Sequence, residues 1–241
     1  SGVKRLGSVA KTGLTVVGGA VAGVATAFGV MTKKALDSYA SLEQNIGGVE
    51  TLFKDSSQSV VDNAKKAYKT AGLSANAYME TVTSFSASLL QSLGGDTKKA
   101  ADYADRAIID MSDNANKMGT SMELIQNAYQ GFAKQNYTML DNLKLGYGGT
   151  KEEMQRLVQD ASKMTDVQKE LGVTVDGSSL SFGNIVNAIS VMQKHMGIAG
   201  TTSEEASETI SGSISSMKGA FDNFLNGTGS PKELAETMVT A

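Results

Sequence analysis

Proline occurs once in this 241-residue chain, at Pro231, while glycine occurs 26 times. Average usage would supply roughly a dozen prolines. A helix interior excludes proline, which lacks the N–H and whose ring strikes the preceding turn. A chain almost free of it can be helical nearly throughout, and abundant glycine says that the helices stop often. The length allows one large or two ordinary domains. With 41% apolar residues there is enough for a real core. A net charge of −3 is too balanced for a duplex-DNA binder, whose affinity rests on neutralised phosphates. No sequence-specific nucleic-acid partner is expected. Without cysteine there is no disulfide framework, zinc ribbon or thiol nucleophile.

Helix starts are written as capping boxes. A Ser, Thr or Asp oxygen accepts a free N–H, and a Glu or Gln three residues on reaches back. Such boxes read Asp55 to Gln58, Thr120 to Glu123, Thr150 to Glu153, Thr201 to Glu204 and Ser230 to Glu233; Ser74, Asp96 and Ser181 are single caps. Glycines suited to a left-handed helix end precede most of them: Gly47-Gly48, Gly72, Gly94-Gly95, Gly119, Gly148-Gly149 and Gly197 or Gly200. Pro231 suits the first position of a helix.

Between the stops, apolar residues recur at three and four. One stripe is Ala100, Ala104, Ile108, Met111, Ala115 and Met118, and the next is Met122, Ile125, Tyr129 and Phe132. Met154, Leu157, Ala161, Met164 and Leu171 follow, then Phe182, Ile185, Ile189, Met192 and Met196. Ala206, Ile210, Ile214, Met217, Phe221 and Phe224 close the series. Each predicts a helix with one buried face. Their methionines suit a forgiving core or, alternatively, an adaptable partner surface. Residues 173–181 break the pattern, and Asp176-Gly177 suits a small hairpin there. The expected fold is all-α: several short amphipathic helices in a bundle, plus an N-terminal apolar, Gly-rich helix. The expected division is 1–46 for that apolar helix, 47–229 for a helical core module, and 230–241 for the start of a further helix.

Residues 12–32 carry no charge, with Lys4, Arg5 and Lys11 before and Lys33-Lys34 after. The length suffices to cross a bilayer core, but five glycines and four threonines make insertion marginal. Gly19 and Gly23 form one GxxxG step, Ala27 continues it, and Gly18, Ala22 and Thr26 lie beside it. Small residues at this spacing let helix backbones approach closely. Three readings stay open: a close-packed helix in an oligomer, a membrane-active segment, and an uncleaved targeting signal. The chain begins at Ser1, which reads as a processed product or a piece of a longer protein.

The search for chemistry returns little. His195 is the lone histidine, so no His pair can hold a metal, and its place near a helix end suits a dipole contact better than catalysis. The run Gly146-Tyr147-Gly148-Gly149-Thr150-Lys151 lacks the spacing of a phosphate loop and reads as a helix stop followed by a cap. Asp110, Asp113 and Asn114 form no calcium loop, because Ala115 stands where glycine is required. With Asp102 and Asp105, these aspartates are expected on the solvated side of their helix. No catalytic residue, metal or cofactor is expected.

The run DMSDNANKMGTSMELIQNAYQGFAKQNYTMLDNLKLGYGGTKEEMQRLV over 110–158 resembles the core region of tail tape-measure proteins of long-tailed phages and prophages. The stretches 72–107 and 196–221 resemble the same family, in the same order along the chain. The resemblance implies a structural protein of the virion, lying in the tail lumen or tip and assembled in the host cytoplasm. It would serve in tail-length determination, assembly and genome ejection. It further implies self-association as a homo-oligomer such as a trimer, contacts with tail-tube and tail-tip proteins, and a host-membrane encounter for the apolar segment. The competing reading is an exported membrane-permeabilising helical protein, resting on residues 12–32.

Overall fold

This computed structural model describes residues 25–208 and 210–239. In chain order the helices are α1 (Ala25–Phe53), α2 (Ser57–Thr70), α3 (Ala75–Ser92), α4 (Thr97–Met118), α5 (Met122–Ala133), α6 (Lys151–Lys163), α7 (Thr165–Leu171), α8 (Phe182–His195), α9 (Thr201–Glu208), α10 (Ile210–Leu225) and α11 (Pro231–Val239). Short 3₁₀ turns occupy Lys54–Ser56 and Leu140–Leu143. Among the described residues there is no strand, and no helix is long and apolar enough to cross a membrane.

Local chemistry sets many of these boundaries. Ser74, Asp96 and Thr150 accept from the N–H groups of Ala77, Lys99 and Glu153, opening α3, α4 and α6. Ser230 and Glu233 close a full box: Glu233 N–H donates to the serine at 3.1 Å, and Ser230 N–H donates back to the carboxylate at 2.7 Å. Gly119 and Gly172 end α4 and α7 in the left-handed region, at φ 65° and 64°. Side chains rarely adopt that backbone.

Other expected boundaries are corrected. Ser121, not Thr120, caps α5, while the Thr120 hydroxyl donates across to Asn142 O. Asp55 sits inside a 3₁₀ turn and caps nothing, since α2 opens at Ser57 without a side-chain bond. Ser181 stands at the start of α8 without a side-chain cap bond, and the hydroxyl of Ser92 takes the Gly183 N–H instead. Gly47-Gly48 stops no helix, so α1 runs through the expected division at 46/47. There Leu42, Val49 and Phe53 are buried, and α1 packs along α3. That packing outweighs a helical glycine's cost of about 1 kcal/mol. The stripe from Met154 to Leu171 breaks at Met164 (φ −86°, ψ 61°), giving α6 and α7 rather than one helix.

Residues 173–181 form no hairpin. Beyond one turn bond, Ser179 N–H to Asp176 O, their polar backbone groups pair largely with side-chain amides of flanking helices. Gln168 accepts from Val175 N–H at 2.9 Å, and Asn184 accepts from Asp176 N–H at 2.8 Å. Asn184 also donates to Asp176 O and Ser179 O, Asn187 to Thr174 O, and Gln155 to Gly177 O. A loop satisfied this way has no need of a ladder.

Helix α4 is the hub, packed against α1, α2, α3, α5, α8 and α9. Helix α8 is buried on every side from Ile185 to Gln193, not along one stripe, because α3, α4, α5, α6 and α7 surround it. The stripe methionines divide. Met111, Met154 and Met192 are core, and Met196 is exposed.

Candidate functional site

The expected packing face does not come together as a described site. Gly18, Gly19, Ala22 and Gly23 lie outside the described residues. Thr26 and Ala27 fall in the first turn of α1, and their side chains are likewise outside the described set. His195 is the exposed last residue of α8. In the glycine run, Gly148 N–H donates to Glu153 Oε2 at 3.1 Å, so a carboxylate occupies the place an anion would need. Arg156 stacks over Tyr147 at 4.4 Å and pairs with the same Glu153, tying the turn to α6.

The polar concentration that sequence reading missed lies on α4. Asp110 and Asp113, expected in solvent, are 5% and 1% exposed. The correction has a plain cause: α8 and α9 cover the face that a single-stripe helix would leave to water. Nothing local to α4 signals it, since an apolar stripe says which face is buried and never that the opposite face is free.

These residues border a cleft of about 470 Å³ whose walls include Ser59, Asp105, Arg106, Asp110, Asp113 and Ser190. Every carboxyl on its floor has an internal partner. Tyr78 donates to Asp105 at 2.7 Å. Burial raises the Asp105 carboxyl, and the tyrosine bond partly offsets this. Asp113 accepts from Gly200 N–H at 2.6 Å and Thr202 N–H at 2.8 Å, capping α9 from across the fold. Ser190 bonds to Asp110. Burial pushes the Asp110 carboxyl up to about 7; the Ser190 bond opposes this, neighbouring Asp113 adds to it, and Arg106 offsets it. Arg106 is turned towards Asn187 (3.1 Å) and lies against Tyr103.

The Ser190 hydroxyl carries one proton yet lies within reach of two acceptors, Asp110 Oδ2 and Val186 O. That proton is shared between them, so the Ser190 hydroxyl ties Asp110 to the α8 backbone. The cleft thus joins α4 to α8 and α9 through spent hydrogen bonds. Among the described residues, no group of three or more acidic or histidine side chains is placed to hold a metal ion. Comparison of the chain with protein-family models, with curated proteins and with solved structures finds no match.

Proposed function

We propose that this chain is a structural component of a long-tailed phage tail, of the tape-measure type, working in the lumen or tip during assembly and ejection. In this reading it self-associates and meets tail-tube and tail-tip proteins. The observation that supports it is where the three resembling stretches fall. Residues 72–107 and 110–158 supply α3, nearly all of α4, α5 and the first part of α6, and residues 196–221 supply α9 and most of α10. They build the hub and three of its neighbours, α3, α5 and α9, and Asp113 joins the second stretch to the third.

The module is folded back on itself, so it is a shaped part of the tail rather than its ruler. An epitope tag on the chain should decorate purified tails, and its absence from them would overturn the tail reading. Deleting residues 73–171 should abolish assembly. Intact tails shortened by about 150 Å, the helical length of the deleted segment, would overturn the folded-back role.

A further inference from the structure

Helices α4 and α8 run the same way, and polar side chains pair across them in step. Asn187 of α8 donates to the Tyr103 hydroxyl of α4 at 3.0 Å and accepts from Arg106 at 3.1 Å. One turn on, Ser190 of α8 bonds to Asp110 of α4. Each step advances four residues on α4 and three on α8, close to one helical turn on both. The next step of the same size brings Asn114 of α4 level with Gln193 of α8.

There the pairing stops. Gln193 is 0% exposed, and neither its Nε2 nor its Oε1 has a protein partner. Asn114 is equally buried. Its Nδ2 donates to Leu143 O at 2.9 Å, which fixes the orientation of the amide and leaves Oδ1 unpaired. The two amides do not bond each other. The backbone beside them is fully engaged: Gln193 O accepts from Ile198 N–H and Ala199 N–H at 2.9 and 3.4 Å. Polar atoms cut off from solvent without a partner carry their full desolvation penalty.

The open atoms define what completes the step. Asn114 Oδ1 and Gln193 Oε1 are acceptors, and Gln193 Nε2 is a donor. A bare cation would satisfy only the acceptors, and an anion only the donor. Water serves both, and buried water commonly makes about three bonds to groups left open in this way.

We propose that α4 and α8 bind buried water between Asn114 and Gln193, as the last step of the polar ladder that begins at Tyr103. The water donates to Asn114 Oδ1 and bonds the Gln193 amide. Apolar contacts are non-directional, so an enclosed helix such as α8 takes its register from its polar steps, and the water holds the end next to α9. The site belongs to the fold and is independent of the tail reading.

A high-resolution crystal structure of the full chain should show water density within about 3.2 Å of Asn114 Oδ1 and of the Gln193 amide. Gln193→Met, unbranched and without the amide, gives a second readout by urea unfolding. With water bound, the variant removes one anchor and leaves Asn114 Oδ1 unpaired, so the unfolding equilibrium constant should rise about tenfold. Were the site dry, Asn114 would be unpaired in both proteins, and losing the Gln193 amide would lower that constant about tenfold. Amides that meet directly, a site without water density, or an unfolding constant that is unchanged or lower would overturn the proposal. If the variant fails to fold, the density at Asn114 in the parent decides by itself.

Discussion

Asp110 gives the protein a pH dependence that can be worked through. In the folded chain its carboxyl is pushed up to about 7, chiefly by burial, whereas an unfolded aspartate titrates near about 3.9. Between those values the folded state holds a proton that the unfolded state has released. Stability therefore falls as pH rises from about 4 to about 7, and levels off above. About three decades of ionisation at about 1.4 kcal/mol each come to about 4 kcal/mol. The assay is urea unfolding followed by far-UV circular dichroism from pH 4 to pH 9, on the parent and on Asp110→Asn. The asparagine cannot ionise, and its amide can still donate to Ser190. The half-buried carboxylates held low by their partners, among them Asp62, Asp96 and Asp160, have the opposite slope. They are common to both proteins and cancel in the difference. The variant's stability relative to the parent should rise by about 4 kcal/mol across the window. A flat difference would refute the upward shift of the buried Asp110 carboxyl.

Five further substitutions test the fold where it is most determined. Gly149→Ala would drive a Cβ into the Thr138 carbonyl and should cost about 3 kcal/mol in urea unfolding. Its neighbour Gly148→Ala meets only Glu153 Cγ at 3.6 Å and should stay within about 1 kcal/mol. Gln168→Leu strips partners from Val175 N, Ala161 O and Ser162 O. It should cost about 3 kcal/mol and speed hydrogen exchange at the Val175 amide. Tyr129→Phe removes a buried hydroxyl that has no partner and should change stability by less than about 0.5 kcal/mol. Tyr78→Phe, which loses the bond to Asp105, should cost about 2 kcal/mol by the same measurement.

Much of the helical order is legible along the chain because a cap and a stop act over three or four residues. Ser74, Asp96, Thr150 and the Ser230–Glu233 box do in the structure what their spacing implies. Gly47-Gly48 fails the same reading, because the partner that overrides it, α3, lies distant in sequence. The site fares worse. Ala75 and Asn223 are 148 residues apart, and Asp113 and Gly200 are 87 apart. Neither pair leaves a trace in local periodicity.

The sequence by itself determined an all-helical chain with frequent breaks, since a missing proline and an abundant glycine act on the backbone wherever they stand. Tertiary structure alone decided that Asp110 and Asp113 are buried, that α8 is enclosed on all sides, and that residues 173–181 hang from four side-chain amides. Burial is a property of what arrives to cover a surface, and the covering helices are placed by contacts that no local window contains.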